Sequence, residues 1–114
     1  MSGEPISQDE LNVLFEAARW APSAGNTHPW RILFAHRNSE QWPLFFGLLV
    51  ERNQVWCRNA AVLLLFISRK TNEQTGRALI THSYDTGAAW ENLALQGTLS
   101  GLVVHASSAD PDAR

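Results

Sequence analysis

The first twenty residues carry the pattern of an amphipathic helix. Residues 7–10, Ser-Gln-Asp-Glu, have the form of a capping box, in which the serine hydroxyl and the glutamate carboxylate each satisfy a free backbone N–H at a helix start. Apolar residues then recur at the spacing of one buried helical face, at Leu11, Leu14, Phe15 and Ala18. Pro22 disfavours helical geometry in the residue before it, so the helix is predicted to end near Ala21.

Strand and helix patterns alternate through the middle of the chain. Bulky and polar residues alternate over residues 30–35, which predicts a strand. Aromatic and aliphatic residues at helical spacing predict a helix over residues 40–50 and a short helical piece over residues 54–59. The continuous apolar run at residues 61–68 is typical of a central strand that is buried on both faces. The polar stretch 69–81 is predicted to be a loop.

The longest helical pattern covers residues 83–100, where alanine and leucine abound and proline is absent. Gly101 follows at the place where a left-handed helix C-cap is expected. Apolar residues occupy nearly every face of this helix, so it is predicted to be buried on most sides, in a core or against another subunit. Residues 102–106 are predicted to form a last short strand, followed by a polar tail over residues 107–112.

This order of elements is typical of an α/β or α+β arrangement, with three short strands under helices. Three strands make a thin sheet, so further chain or a partner subunit is expected to complete it. At 114 residues the chain has the length of a single domain, covering residues 1–114.

Composition and charge exclude several classes of protein. A net charge of −2, with nine basic residues scattered along the chain, does not indicate a surface for DNA or RNA. The apolar run at residues 60–67 is far shorter than the roughly 20 residues of a membrane-spanning helix, so no membrane association is expected. The N-terminus has no basic patch followed by an apolar stretch, which favours a cytoplasmic protein.

Cysteine, histidine and glycine patterns exclude the common catalytic classes. The single Cys57 cannot form an intrachain disulfide or a cysteine cage for a metal, and it is predicted to be a buried structural residue. The four histidines are isolated, without carboxylates at ligand spacing, so no metal site is predicted. No Gly-x-Gly-x-x-Gly turn and no Walker phosphate loop is present, and neither a dinucleotide-binding Rossmann turn nor a nucleotide triphosphatase is supported.

Two segments carry specific motifs. Residues 16–30, Glu-Ala-Ala-Arg-Trp-Ala-Pro-Ser-Ala-Gly-Asn-Thr-His-Pro-Trp, resemble the signature of the nitroreductase family, in which a helix ending in Ala-Pro-Ser leads into Asn-x-Gln-Pro-Trp and a strand. Residues 82–102 resemble the family's central helix, from Asp-x-Gly-x-Ala through Asn-Leu-x-Leu to Gly-Leu. Residues 53–56 and 60–68 resemble the segment and strand between them, so the resemblance covers nearly all of residues 6–105.

The resemblance implies a fold and an activity. The fold would be a partial nitroreductase-like α+β sandwich, with a long central helix and a short sheet. The activity would be that of an FMN-dependent oxidoreductase that takes a hydride from NAD(P)H and passes it to a nitroaromatic, quinone or related acceptor. The chemistry then belongs to the flavin, so the resemblance implies no catalytic acid, base or nucleophile. The enzyme would be a homodimer with its sites at the subunit interface.

The resemblance also implies cofactor-binding residues. The positions that contact the FMN held chiefly by the other subunit match Pro22, Ser23, Ala24 and Asn26. His28 stands where the family commonly has glutamine, which keeps a hydrogen-bonding side chain at that position. The stretch that lies beside the flavin ring and offers backbone groups near N5 matches His105, Ala106 and Ser107.

Each of these residues also has a purely structural interpretation. Pro22 and Ser23 alone form an ordinary helix stop, and Asn26 alone is a turn former. Trp30 and Trp90 are expected in the core rather than against a flavin. The conjunction of two distant motif segments is what favours the flavin site, and an unrelated α/β domain with chance similarity remains the weakest alternative.

The chain departs from the family pattern at its ends. Family members hold the FMN phosphate with arginines just before the first helix and with a further basic contact near the C-terminus, and neither family arginine is present here. The chain is therefore expected to be a truncated form, in which Arg19, Arg31, Arg69, Lys70, Arg77 or Arg114 would have to substitute. The alternative function is that of a truncated or degenerate family member without catalysis, acting as a dimeric binding or structural module.

Overall fold

The computed structural model describes residues 2–109 and Asp112. Over these residues it has the α+β class that the sequence predicts, with four helices and a two-stranded sheet. The helices are α1 (Gln8–Arg19), α2 (Trp42–Phe46), α3 (Glu51–Cys57) and α4 (His82–Leu99), and the strands are β1 (Trp30–His36) and β2 (Val62–Ser68). A short 3-10 helix at Ala24–Asn26 lies between α1 and β1. None of these helices is long and apolar enough to cross a lipid bilayer.

The chain divides into two compact units. The α1/α4 unit comprises Gln8–Ile32 and Phe66–Val104, and the α2/α3 unit comprises Leu33–Leu65 together with residues 2–7 and 105–109.

Helices α1 and α4 pack against each other and form the core of the α1/α4 unit. Helix α1 begins directly after the predicted capping serine and buries the predicted face, of which Leu11 is fully buried. Leu93 of α4 is also fully buried, and the Asn92 side-chain amide donates a hydrogen bond to the Ala17 carbonyl oxygen at 3.0 Å. A Cβ added at Gly97 would lie 2.5 Å from Cγ2 of Val104, so this glycine allows a close approach that no other residue permits.

The predicted C-cap of the long helix is confirmed. Gly101 has a φ of +77°, which places it in the left-handed region. Its N–H donates to the Thr98 carbonyl oxygen at 3.0 Å, and the Leu102 N–H donates to the Gly97 carbonyl oxygen at 2.8 Å. These two bonds are those of a Schellman motif, which satisfies the carbonyl groups left over at a helix end.

The predicted third strand at residues 102–106 is wrong. These residues have no regular secondary structure and no strand pairing, and the sheet within the described residues has the order β1-β2. The apolar pattern alone is insufficient because a strand exists only when a neighbour accepts and donates its backbone hydrogen bonds. The Leu102 N–H, the first donor of the predicted strand, is instead used in the cap of α4.

The two strands of the sheet run antiparallel. The Arg69 N–H donates to the Pro29 carbonyl oxygen at 2.8 Å, and the Arg37 N–H donates to the Ala61 carbonyl oxygen at 2.9 Å. The prediction that the second strand is buried on both faces is wrong, because most of β2 is half-buried and Ile67 is exposed. Within the part of the chain that the structure describes, β2 pairs with β1 alone and is an edge strand rather than a central one.

The helix predicted over residues 40–50 is shorter in the structure. Helix α2 ends at Phe46, and the N–H groups of Leu48 and Leu49 make i to i−3 bonds of a tightened turn. Val50 is extended, with a ψ of 150°, and serves as the residue before α3, which starts three residues earlier than predicted. The apolar spacing does not mark this break, because apolar residues recur at helical intervals on both sides of it, although α2 buries no residue and α3 buries Cys57.

Cys57 lies at the end of α3 and is buried, as predicted for a structural residue. Burial raises the pKa of its thiol, since the charged thiolate is poorly solvated there. This shift favours the protonated thiol at neutral pH. In the same α2/α3 unit, the Arg37 guanidinium donates hydrogen bonds to the carbonyl oxygens of Asn59, at 2.7 Å, and of Gly3.

Candidate functional site

The loop that joins α1 to β1, residues 22–29, has an unusual backbone and is called the α1–β1 loop below. Gly25, Asn26 and His28 have φ values of +59°, +55° and +47°, all in the left-handed region. Glycine adopts this region freely, whereas a residue with a side chain is strained there by roughly 1–2 kcal/mol. Such a conformation persists only where surrounding contacts determine it.

Hydrogen bonds within the loop hold part of this conformation. The His28 N–H donates to Ser23 Oγ at 3.0 Å, and the Asn26 N–H donates to the Ser23 carbonyl oxygen at 3.0 Å. The Thr27 hydroxyl donates to the Ala24 carbonyl oxygen, also at 3.0 Å. Because Ser23 Oγ accepts from His28, its own hydroxyl hydrogen can be donated to a bound group.

A buried carboxylate ties this loop to the first turn of α4. Asp85 is 6% exposed, and its Oδ2 accepts the Ala24 N–H at 3.1 Å and the Thr81 hydroxyl at 2.9 Å. The carboxylate also lies near the N-terminus of α4, where the helix dipole favours a negative charge. Sequence reasoning missed this residue as part of the site. The Asp-x-Gly motif marked its position, but 61 residues separate it from Ala24.

The loop and the start of α4 form an open cleft of about 500 Å³. A Cβ built on Gly87 meets no heavy atom within 4 Å, so this wall is open. The cleft is in the size range of small-molecule sites and combines an apolar lining with a hydroxyl and a carboxylate. Its lining residues are Pro22, Ser23, Ala24, Tyr84, Asp85, Gly87 and Ala88.

His28 and Trp30 stack on each other at the β1 end of the loop. Their ring centroids are 5.1 Å apart and the ring planes differ by 18°. Trp30 is buried, as predicted for a core residue, and Pro29 between the two is fully buried. The side chain of His28 therefore packs against the base of β1, while its backbone N–H closes the loop.

The other predicted cofactor residues belong to the α2/α3 unit, where two of the three contact α3. The His105 ring meets the Trp56 ring edge-on, with centroids 4.5 Å apart. The Ser107 hydroxyl oxygen accepts a hydrogen bond from Asn53 Nδ2 at 2.5 Å, and Ala106 between them is exposed. The structure thus places the eight predicted residues in two groups, five in the α1–β1 loop and three in the segment after α4.

Several cations that were candidates for a phosphate contact are engaged elsewhere. Arg19 pairs with Glu16 at 3.0 Å and lowers the pKa of that carboxyl, as does the hydrogen bond from Trp20 Nε1. Arg31 and Arg69 both contact Glu73, Arg31 at 3.8 Å. Lys70 and Arg77 are exposed near the turn bridged by Thr71 and Ala78, and Arg114 lies outside the described residues. Over the described residues, no three His, Cys, Asp or Glu side chains gather at a metal-binding distance.

Comparisons with known proteins agree with these observations. The model of the nitroreductase family matches residues 2–43. No curated protein matches the chain at a significant level.

Solved structures share the fold. A crystal structure of an oxidoreductase containing FMN is 48% identical, with a TM-score of 0.82, and the match covers 88% of this chain and 52% of that one. A nitroreductase family protein from Clostridium difficile 630 is 21% identical, with a TM-score of 0.73 over 96% of this chain and 62% of that one. An FMN-dependent nitroreductase from Clostridium difficile R20291 is also 21% identical, with a TM-score of 0.62 over 87% of this chain and 49% of that one.

The chain thus spans about half to three fifths of the length of these three structures. The family model matches α1 and the α1–β1 loop, and the shared fold extends the likeness to α4. On these grounds residues 2–43 match the nitroreductase family, and the chain shares its fold with solved structures of nitroreductase family proteins.

Proposed function

We propose that this protein is a flavin-dependent oxidoreductase that binds FMN and transfers a hydride from NAD(P)H to a nitroaromatic, quinone or related acceptor. The observation that carries the proposal is the α1–β1 loop, whose left-handed backbone and bonded Ser23 form one wall of an apolar cleft. The FMN content of a structure 48% identical to this chain supports the same cofactor.

The residues of the cleft fit a flavin ring. An isoalloxazine needs flat apolar cover on its faces and hydrogen-bonding groups at its pyrimidine edge and N5. The ring of Pro22 and the small residues Ala24 and Ala88 supply apolar cover, and the open wall at Gly87 leaves room for a flat group. The Ser23 hydroxyl supplies a donor whose oxygen is held in place by the His28 N–H.

When bound, FMN would supply the hydride chemistry, and the protein would bind and orient it. In this proposal Pro22, Ser23, Ala24 and Asn26 line the flavin held chiefly by a second subunit. His28 sets the position of the Ser23 oxygen through its backbone N–H. The segment of His105, Ala106 and Ser107 would present backbone groups to the ring of its own subunit's flavin. Contacts with α3 hold this segment in place.

The exposed side of α4 supports a homodimer. Tyr84, Leu95 and Leu99 are 84%, 55% and 82% exposed, and their spacing along α4 puts them on one face of the helix. Leu95 and Leu99 lie one turn apart on this face, and exposed apolar residues grouped in this way are typical of an interaction surface. We therefore propose that the predicted burial of α4 on most sides is completed by a second copy of the chain.

Sedimentation equilibrium tests the homodimer. The wild-type protein should sediment as a dimer, and Leu95→Glu should shift it to the monomer, because a charge would be buried without a partner. Val55→Glu, which alters an exposed apolar residue of α3, is the matched control and should leave the dimer intact. A wild-type monomer, or a dimer unchanged by Leu95→Glu, would contradict this interface.

Flavin titration tests the cofactor. FMN fluorescence should be quenched on addition of the purified protein until one FMN is bound per chain, and the complex should be yellow. Anaerobic addition of NADH or NADPH should then bleach the visible absorption of the bound flavin. Flavin binding without bleaching would favour the non-catalytic alternative, and a colourless protein that gives no titration signal would refute the flavin site.

A further inference from the structure

We propose that Asp85 is a positioning residue, which fixes the direction of the Ala24 N–H and so holds the α1–β1 loop in the conformation that meets the flavin. The part of this proposal that concerns flavin binding rests on the proposed function. The hydrogen bonds that Asp85 makes are independent of any cofactor, because they are present within the chain itself.

A single carboxylate oxygen serves two donors from different parts of the chain. Asp85 Oδ2 accepts the Ala24 N–H at 3.1 Å and the Thr81 hydroxyl at 2.9 Å. Hydrogen bonds to an ionised acceptor are about twice as strong as neutral ones. A carboxylate that is 6% exposed also requires such donors, since a buried charge without them is destabilising. The loop and the carboxylate therefore stabilise each other.

The start of the loop depends on this bond, because the ties of the loop to outside residues are otherwise at its β1 end, where the His28 carbonyl oxygen also accepts from Arg31 Nη1 at 3.0 Å. The bonds of Ser23 to His28 and of Thr27 to Ala24 tie loop residues to one another. At the β1 end, the Pro29 carbonyl oxygen is tied to the Arg69 N–H at 2.8 Å. At the α1 end, the link from Ala24 to Asp85 is the corresponding tie to the rest of the α1/α4 unit.

Two roles of the carboxylate have different consequences. If Asp85 acts as a hydrogen-bond acceptor, Asp85→Asn should still hold the α1–β1 loop in place, because the amide oxygen can accept from both Ala24 and Thr81. If its negative charge is what matters, Asp85→Asn should be as damaging as Asp85→Ala. Geometry favours the acceptor, since both donors converge on one oxygen.

Amide hydrogen exchange followed by NMR tests the anchoring without flavin. In the flavin-free protein, Asp85→Ala should speed the exchange of the Ala24 amide by about tenfold or more, the effect expected when a charge-assisted bond is lost. Asp85→Asn should keep the exchange rate within about threefold of the wild type. Glu40→Ala, which removes an exposed acid from the α2/α3 unit, is the matched control and should change nothing. An unchanged Ala24 amide in Asp85→Ala would overturn the proposal.

FMN titration of the same variants tests the consequence for the site. Asp85→Ala should weaken FMN binding by about tenfold, Asp85→Asn should bind like the wild type, and Thr81→Val should lie between them. Faster exchange of the Ala24 amide with unchanged FMN affinity would overturn the positioning role. Equal losses of FMN affinity in Asp85→Ala and Asp85→Asn would overturn the acceptor role.

If wild-type protein binds no FMN, the proposed function and the part of this proposal that concerns flavin binding both fail. The exchange experiment still decides whether Asp85 holds the loop, and circular dichroism of each variant identifies any that does not fold.

Discussion

Leu93→Ala should lower the free energy of unfolding by about 3 kcal/mol. Leu93 is fully buried in the contact between α1 and α4, so truncation removes its transfer free energy and leaves a cavity that the two helices cannot close. Gly97 already brings α4 close to Val104, which leaves the helix little freedom to shift into the cavity. Urea unfolding at one fixed protein concentration measures the change, since an oligomer would make the apparent stability depend on concentration.

A matched control is Leu44→Ala on α2. The same substitution is made there in a side chain that is 73% exposed, so the change should stay within about 0.5 kcal/mol. Equal losses for the two variants would mean that the contact of α1 with α4 is not the main source of stability in its unit.

Gly25→Val should both destabilise the protein and weaken flavin binding. A β-branched residue at a φ of +59° is strained by roughly 1–2 kcal/mol or more, and an added Cβ meets only Thr27 Cγ2 at 3.8 Å, so the cost comes from the backbone rather than from a clash. If the loop relaxes away from this conformation, Ser23 and Asn26 no longer face a bound ring together. FMN affinity should then fall by about tenfold or more, because the loss of one oriented contact worth about 1.4 kcal/mol raises the Kd tenfold.

Gly76→Val separates the two effects. Gly76 has a φ of +68° in the turn between Thr71 and Ala78, and a Cβ there meets nothing within 4 Å. The substitution should therefore cost a similar free energy of unfolding while FMN affinity stays at the wild-type value. Flavin binding by Gly25→Val as tight as that of the wild type would show that the left-handed loop is not needed.

Local patterns predicted the regular elements well where the determinants are close in sequence. Helix α1 begins after its capping serine, and α4 ends in the cap that Gly101 predicted, because a cap is formed by residues within one turn of the helix end. The strand pattern at residues 30–35 lies within β1 for the same reason. The break after Phe46 was not predicted, because its apolar spacing continues into α3.

The site was only partly predictable. The family motif indicated the five loop residues from Pro22 to His28, and the structure confirms that they share one loop. The motif did not indicate the left-handed conformation of His28, which is not a residue type that usually requires it. It also assigned no role to Asp85, since the pairing of a carboxylate with a backbone N–H 61 residues away leaves no local pattern.

The sequence by itself determined the resemblance to the nitroreductase family, the α+β class, the start and end of the long helix and the buried face of α1, because each depends on residue types at short and fixed spacings. Only the tertiary structure decided that residues 102–106 form no strand, that β2 is half-buried and that Asp85 reaches the loop. Each of these depends on which distant chain segment supplies a hydrogen-bond partner or covers a face. Neighbours in space, unlike neighbours in sequence, are set by the packing of the whole fold.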